Sequence, residues 1–171
     1  EPGLIRDDTE LNIAEKNKNY AELTGHYWVW KNFLDTTDCE YIGFCHYRRF
    51  LDFNMHVMPQ IPFKPILVED FKNVFPKYKE EQIIKRIEGY DIVLPQTVIL
   101  DRDILNQYVQ YHPVSDLKLA IDIIKEKFPD YLAHTLKFLS SNEMWICLNF
   151  IIRKDLLKNY FEWIFDFLFE F

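Results

Sequence analysis

The stretch Tyr41-Ile-Gly-Phe-Cys-His-Tyr-Arg-Arg-Phe50 carries the strongest fold signal in the sequence. Its first five residues are a short apolar run, and the polar turn Asp35-Thr-Thr-Asp38 precedes them. A short apolar run that begins after turn residues is typical of a buried β-strand. Residues 41–45 are therefore predicted to form a strand, and the basic segment that follows lies at its carboxyl end.

Three potential cations, His46, Arg48 and Arg49, follow this strand within four positions. In open α/β sheets, ligands bind at the carboxyl ends of the strands. Arginine offers forked N–H donors that match phosphate oxygens, so the segment favours an anionic ligand. The alternative is that both arginines pair with nearby carboxylates and that His46 is an ordinary core residue. The segment alone does not decide between these two interpretations.

A long helix is predicted immediately before this strand. Asn12 is suited to cap its start, because Glu15, three residues later, completes a capping box. Apolar residues then recur at spacings of three and four, which predicts one amphipathic helix running to about Asn32. These residues are Tyr20, Leu23, Tyr27, Trp30 and Leu34. A second stripe, the candidate ligand-facing one, consists of Asn17, Thr24, Trp28 and Lys31.

The rest of the chain alternates predicted helices and strands. Helices are predicted over residues 77–88, 101–110, 115–127, 129–139 and from Lys154 onward, strands over 90–94 and 144–152, and a proline-rich loop over 51–65. Ser115 and Pro129 are the expected helix-start residues, and Ile83, Ile84 and Ile87 are expected to point inward. This order predicts an α/β fold with residues 1–171 as a single domain. The missing initiator Met and the uncapped last helix indicate a fragment truncated at both ends.

The composition indicates a globular protein. With 171 residues, 49% of them hydrophobic, the chain is long enough to bury a core. A net charge of −7 argues against nucleic acid as a partner, because nucleic acid needs a net basic face. The sequence has no apolar run of the roughly 18 residues that a transmembrane segment needs. The three cysteines lack a Cys-x-x-Cys pattern, which predicts reduced thiols in a cytoplasmic protein, without disulfide or zinc.

The aromatic C-terminal segment, residues 160–171, carries an acidic stripe at Glu162, Asp166 and Glu170. Spacings of four place these acids on one helical face. An amphipathic helix packed on the core is favoured over one lying on a membrane, since anionic lipid attracts basic helices. Peripheral membrane association stays open as the alternative.

Two acidic groups are candidate sites for Mg²⁺ or Mn²⁺. They are the pair Asp7 and Asp8 and the turn at residues 35–38. Both patterns fit turn and cap residues first.

Two further patterns could carry acid–base chemistry. His112 and Asp116 have a His-x-x-x-Asp spacing found in some acyltransferases, and a helix-capping region explains the same pair. Glu143, at the edge of the 144–152 strand, could remove a proton from an acceptor hydroxyl or be a solvated loop acid. Glycine-rich dinucleotide, P-loop, serine-hydrolase and zinc-protease motifs are absent from the sequence.

Three consecutive blocks and several shorter matches resemble the bacterial exopolysaccharide and capsule glycosyltransferases grouped as domain of unknown function 4422. The blocks are Asp8-Thr-Glu-Leu-Asn-Ile-Ala-Glu-Lys-Asn17, Glu22-Leu-Thr-Gly-His-Tyr-Trp-Val-Trp-Lys-Asn32 and Gly43-Phe-Cys-His-Tyr-Arg-Arg-Phe50. The shorter matches are Tyr90–Pro95, Tyr111-His112 with Asp116-Leu117, Phe128–Tyr131, Asn149–Ile152 and Tyr160–Trp163. The resemblance covers almost the whole chain, with departures at Leu11 and Ala21.

The resemblance implies a GT-A-like (Rossmann-like) nucleotide-sugar-binding domain that is active in the cytoplasm, at the inner face of the membrane. The implied donor is a UDP-sugar, and the implied acceptor is a lipid-linked glycan of a growing surface polysaccharide such as capsule, exopolysaccharide or lipopolysaccharide. Some relatives are associated with galactofuranosyl transfer. Many GT-A enzymes end the corresponding strand in Asp-x-Asp, which holds a metal ion on the diphosphate. Here His46-x-Arg48 stands there instead, so fixed positive charge is expected to replace the metal, with Mn²⁺ or Mg²⁺ as the alternative.

Candidate roles combine this resemblance with the positions of the residues in the sequence. The catalytic candidates are His46, Arg48, Arg49 and, as general base, Glu143. The donor-binding candidates are Asp8, Asn12, Asn17 and Trp28. The acceptor-binding candidates are His112 and Asp116. The alternative function is a non-catalytic glycan-binding or assembly module of the same biosynthetic machinery.

Overall fold

The computed structural model describes residues 4–46, 49–53, 79–146 and 148–171. Arg48 and most of the predicted 51–65 loop lie outside these ranges. Within them, helices and two small antiparallel sheets form a mixed α/β fold, as the order of elements predicted.

The segment before the first strand is a series of short helices rather than one long helix. These are a 3₁₀ helix, Ala14–Lys16; α1, Asn17–Tyr20; α2, Leu23–Trp28; and a π-helix, Val29–Phe33. The prediction of a continuous helix is wrong because Ala21 has a φ of +46°, which interrupts the helical path. Asn12 still contacts the helix start, where its Oδ1 accepts a hydrogen bond from the Ala14 N–H at 3.1 Å.

In the part of the chain that the structure describes, five strands form the two sheets. They are β1, Tyr41–Phe44; β2, Ile92–Val93; β3, Val98–Ile99; β4, Glu143–Met144; and β5, Phe150–Arg153. The central strand β5 runs antiparallel to both β1 and β2, with Ile152 opposite Ile42 and Ile92. β1 confirms the strand predicted from the opening stretch. Because these pairings are antiparallel, the carboxyl-end rule for open parallel sheets does not by itself locate a ligand here.

The single strand predicted over residues 144–152 is wrong. Met144 pairs with Val98 in the small β3–β4 sheet, whereas Phe150 pairs with Phe44 in the larger one. The apolar run therefore divides between two sheets, and β3 itself was not predicted. The strand predicted at 90–94 is confirmed as the shorter β2.

Four helices connect or flank the sheets. They are α3, Glu80–Ile87; α4, Ile104–Tyr111; α5, Val114–Lys127; and α6, Pro129–Leu139. Pro129 begins α6 as predicted. Two predictions are wrong. Ile84 is exposed, and Ile87 is the α3 residue that is buried. Ser115 lies inside α5, which begins one residue earlier, at Val114.

The core forms around the last helix, α7, Lys154–Glu170. Leu157, Phe161 and Phe165 are completely buried on its inner face, and the ring of Trp30 stacks on Phe165 at 5.5 Å. On the outer face, Lys127 forms ion pairs with Asp166 and Glu170 at 2.9 and 3.0 Å. The predicted core-packing helix is confirmed. Among the described residues, no helix is both long and apolar enough to cross a membrane.

Candidate functional site

A cavity of about 390 Å³ lies between α2, the residues that follow β1 and the N-terminal segment. Its apolar wall includes Ile5, Val29, Phe44 and Leu148. Its polar and aromatic wall includes Asp7, Glu22, His26, Trp28, Cys45 and His46. The volume falls within the range of small-molecule sites, and apolar walls with a few converging polar groups are typical of them. We call it the β1 cavity.

His46 and Arg49 are held by a buried amide. The Asn149 side chain, only 5% exposed, accepts a hydrogen bond from the His46 N–H at 2.6 Å and donates one to the Arg49 carbonyl at 3.0 Å. The Arg49 N–H donates to the His46 carbonyl at 3.1 Å. Asn149 therefore fixes the main chain at both ends of the His-Tyr-Arg-Arg segment. Its position before an apolar strand gave no sign of this role in the sequence.

Asp7 lies on the cavity wall, and a chain of hydrogen bonds through the buried Thr24 orients its carboxylate. Thr24, which is 0% exposed, donates its hydroxyl proton to Asp7 Oδ2 at 2.7 Å. The Thr24 oxygen accepts a hydrogen bond from the Asn17 side-chain amide at 3.1 Å, and that amide also donates to the Ala21 carbonyl at 3.0 Å. Asn17 and Thr24, two members of the predicted ligand-facing stripe, thus orient a carboxylate on the cavity wall.

His26 is the most buried titratable group of the cavity. It is 4% exposed and packs against the rings of Phe44, Phe150 and Phe161 at centroid distances of 4.0 to 6.1 Å. Its Nδ1 is buried without a hydrogen-bond partner. Burial lowers the pKa of His26 to about 4, despite the opposing charge of Glu22, so the imidazole is neutral near pH 7. A lone histidine between apolar residues gave no functional signal in the sequence.

Trp28 is the predicted donor-binding aromatic that lines the cavity. Its indole Nε1 donates a hydrogen bond to the Thr9 carbonyl at 2.9 Å, which fixes the ring. Trp30, the neighbouring aromatic, packs in the core instead.

Two other donor-binding candidates lie beside the cavity rather than on its wall. Asp8 forms a bidentate pair with Arg6, and the amide of Asn12 donates to the Glu10 carbonyl at 2.9 Å. The side chains of Asp8 and Asn12 therefore shape the N-terminal segment that carries Asp7. Their contact with a donor stays a prediction.

The remaining candidates lie on other elements. Glu143 is exposed on β4. His112 follows the last residue of α4 and packs on the Tyr108 ring at 4.7 Å. Asp116 accepts a hydrogen bond from Ser115 in the first turn of α5. None of these three side chains lines the β1 cavity, and their roles stay predictions.

Two acidic groups were raised as candidate metal sites. Within the described ranges, no three His, Cys, Asp or Glu side chains group closely enough to hold a metal ion. Asp35 and Asp38 line a second cavity of about 430 Å³ with Lys154 and Lys158, where Asp35 lies 3.6 Å from the Lys158 ammonium. Cys39 and Cys45 are exposed, free thiols.

Comparison with known proteins places the chain in a family. A solved structure of the WbbM bifunctional glycosyltransferase in its apo form matches with a TM-score of 0.80 and 33% sequence identity. The match covers 95% of this chain and 30% of that one, so the chain spans less than a third of the protein it resembles. No curated protein matches the sequence. The model of the family described as "Domain of unknown function (DUF4422)" matches residues 1–171, and the chain belongs to that family.

Proposed function

We propose that this chain is a glycosyltransferase domain that moves a hexosyl group, such as galactofuranosyl, from a UDP-sugar to a growing surface polysaccharide. The observation that supports it most is the likeness to a glycosyltransferase structure at a TM-score of 0.80 and 33% identity. The β1 cavity is the proposed donor site, because the His-Tyr-Arg-Arg segment begins at its wall and Asn149 fixes that segment.

The proposed mechanism uses fixed charge in a GT-A-type domain. When the bond between the sugar and the diphosphate breaks, negative charge develops on the departing phosphate oxygens, and preorganised cations stabilise it. His46, Arg48 and Arg49 are proposed to supply this charge, with Glu143 as the base that takes the acceptor hydroxyl proton. The acceptor is proposed to be a lipid-linked glycan at the inner face of the membrane, contacted by His112 and Asp116.

The proposal that fixed charge replaces a metal ion has a direct test. Sugar transfer by the full-length protein is expected to continue at an unchanged rate in excess EDTA. If chelation abolishes turnover and Mn²⁺ restores it, the metal-free mechanism is overturned and Asp7, Asp8 and Asp91 become the candidate ligands.

Cysteine alkylation tests the donor site. Cys45 is an exposed thiol on the cavity wall, and Cys39 is an exposed thiol on the second cavity. A UDP-sugar in the β1 cavity should slow alkylation of Cys45 by iodoacetamide several-fold and leave Cys39 unchanged, as read by peptide mass spectrometry. A panel of UDP-sugars identifies the donor by the strongest protection.

An Arg49→Ala variant should lose this protection, whereas Arg102→Ala, which removes a surface partner of Asp101, should keep it. If no nucleotide sugar protects Cys45 but an uncharged oligosaccharide does, the transferase proposal fails. The alternative function, a glycan-binding module of the same machinery, then replaces it.

A further inference from the structure

The charges on the β1 cavity wall disfavour a phosphate inside it. Its described lining contains two carboxylates, Asp7 and Glu22, the neutral imidazole of His26 and, where the cavity meets the end of β1, His46, but no lysine or arginine. A diphosphate placed among these groups would meet like charge, which costs free energy at short range. An uncharged, hydroxyl-bearing ring would not. The cavity volume of about 390 Å³ is at the lower end for ligand pockets and suits a single ring.

One oxygen of the Asp7 carboxylate, Oδ2, accepts a hydrogen bond from Thr24, and the other, Oδ1, can accept one from a ligand. Thr24 has a single hydroxyl proton, and the charged Asp7 Oδ2 at 2.7 Å is a better acceptor for it than the Ala21 carbonyl at 3.0 Å. The Asn17 amide fills the acceptor side of the same hydroxyl. Among the described residues no donor contacts Asp7 Oδ1. The relay therefore fixes the orientation of Asp7 and leaves Oδ1 for a ligand.

His26 is a further polar side chain on the cavity wall. Its side chain is more than nine-tenths buried on the same cavity wall, and its Nδ1 lacks a partner. A buried polar atom without a hydrogen bond is destabilising, and among the described residues the indole Nε1 of Trp163, which does not line this cavity, is another such atom. A neutral imidazole can either donate to or accept from a hydroxyl.

We infer that the β1 cavity binds the hydroxyl face of a sugar ring, with Asp7 as the residue that accepts hydrogen bonds from the ring hydroxyls and Thr24 as the residue that positions Asp7. The phosphates then lie at the edge of the cavity that His46 forms. This inference rests on the proposed function but concerns a different part of the ligand. The hydroxyls can belong to the donor hexosyl group, to the ribose of the nucleotide or to an acceptor glycan.

Binding by the complete chain, measured by titration calorimetry, separates these sources. The probes are UDP, which has the ribose only, a UDP-hexose, and a methyl hexoside, which has no phosphate. Asp7→Asn keeps the shape of the side chain but loses the charged acceptor. It should lower the affinity for the ligand whose hydroxyls occupy the cavity roughly tenfold to a hundredfold. Loss with the UDP-hexose alone assigns the hexosyl group, equal loss with UDP assigns the ribose, and loss with the methyl hexoside alone assigns the acceptor.

The positioning role of Thr24 needs its own variants. Thr24→Val removes the hydroxyl at nearly constant volume and should weaken the same ligand about threefold to tenfold, whereas Thr24→Ser should restore binding. Thr135→Val, at a threonine whose hydroxyl bonds only to its own helix, and Asp122→Asn, on the exposed side of α5, are the matched controls. Melting temperatures within a few degrees of wild type show that each variant is folded.

The outcomes distinguish this inference from the proposed function. If the chain binds a UDP-hexose and Asp7→Asn binds all three probes as wild type does, the sugar-binding role of Asp7 is overturned and the transferase proposal stands. If only the methyl hexoside binds, and Asp7→Asn abolishes it, the role of Asp7 stands and the transferase proposal fails. Binding of none of the three probes overturns both.

Discussion

The helical segment before β1 has two faces, and they contact very different surroundings. Tyr27 and Trp30 face α7, where both rings pack on Phe165 at 5.1 and 5.5 Å, and the Lys31 ammonium lies 3.1 Å from the centre of the Trp30 ring. On the other face, His26 lies on the wall of the β1 cavity, and the buried Thr24 hydroxyl holds Asp7 on that wall. Burial of apolar rings stabilises a fold directly, whereas burial of polar groups costs free energy unless they are paired. The first face explains why the domain folds, and the second is the one expected to carry function.

The largest effect should come from the apolar face. Phe161→Ala removes a completely buried ring from the centre of the core and should lower the free energy of unfolding by about 3–5 kcal/mol. Phe169→Ala, on the same helix but 49% exposed, is the matched control and should cost much less. Urea denaturation monitored by tryptophan fluorescence measures both. Equal losses in the two variants would mean that the core is not centred on Phe161.

The polar face should give the domain a pH-dependent stability. The unfolded chain binds a proton at His26 below the usual pKa near 6.5, but burial keeps the folded imidazole neutral down to about pH 4. The contribution of His26 to the free energy of unfolding is therefore fully present above pH 6.5. It is lost between pH 6.5 and 4, by up to about 3 kcal/mol. The rings of Phe44, Phe150 and Phe161 that pack against His26 carry no charge, and Glu22 only moderates the effect.

The difference between wild type and a His26 variant separates the contribution of His26 from that of carboxylates, which are protonated at the lower end of the same pH range. In His26→Gln, urea denaturation from pH 7 to 4 should show a smaller loss of stability than in wild type. His134→Gln, at an exposed position on α6, should follow the wild-type curve. A His26→Gln curve parallel to wild type would show that burial does not lower the pKa of His26.

The apolar face was predictable from sequence, because local spacing encodes it. Tyr20, Tyr27, Trp30 and Leu34 all pack against the core, and the bounds of α6 agree with Pro129–Leu139. The break at Ala21 was not predictable, since an alanine at positive φ has no signature such as glycine would provide. The division of residues 144–152 depends on their partners, Val98 and Phe44, which are far away in sequence.

The polar face was only partly predictable, because tertiary contacts create it. Asp7 looked like a turn residue, and its role depends on Thr24, 17 residues later. His26 becomes a neutral, buried group only when rings from β1, β5 and α7 surround it. His46 was predicted from cations after a strand and does line the cavity. Arg48 lies outside the described residues, so its role stays a prediction.

The smallest effect on stability, but a clear one on binding, should come from Asn149. This amide lies one residue before the apolar strand β5, and its two hydrogen bonds hold His46 and Arg49. Asn149→Asp retains the acceptor for the His46 N–H but turns an oxygen toward the Arg49 carbonyl. We expect a loss of about 1–2 kcal/mol in stability. Asn159→Asp, exposed on α7, is the control and should change neither stability nor ligand binding.

The Cys45 protection assay separates the two roles that Asn149 could have. If Asn149 only supports β5, the variant melts earlier but a UDP-sugar protects Cys45 with unchanged affinity. If it orders the His-Tyr-Arg-Arg segment for a diphosphate, the concentration of UDP-sugar needed for half-protection rises about tenfold, because displaced cations stabilise the phosphates less well. Affinity for a methyl hexoside should stay the same, since that ligand does not reach the segment. An equal loss of affinity for the UDP-sugar and the methyl hexoside would instead mean that Asn149 supports the whole cavity. The cavity could then not be divided into a part that binds sugar and an edge that binds phosphate.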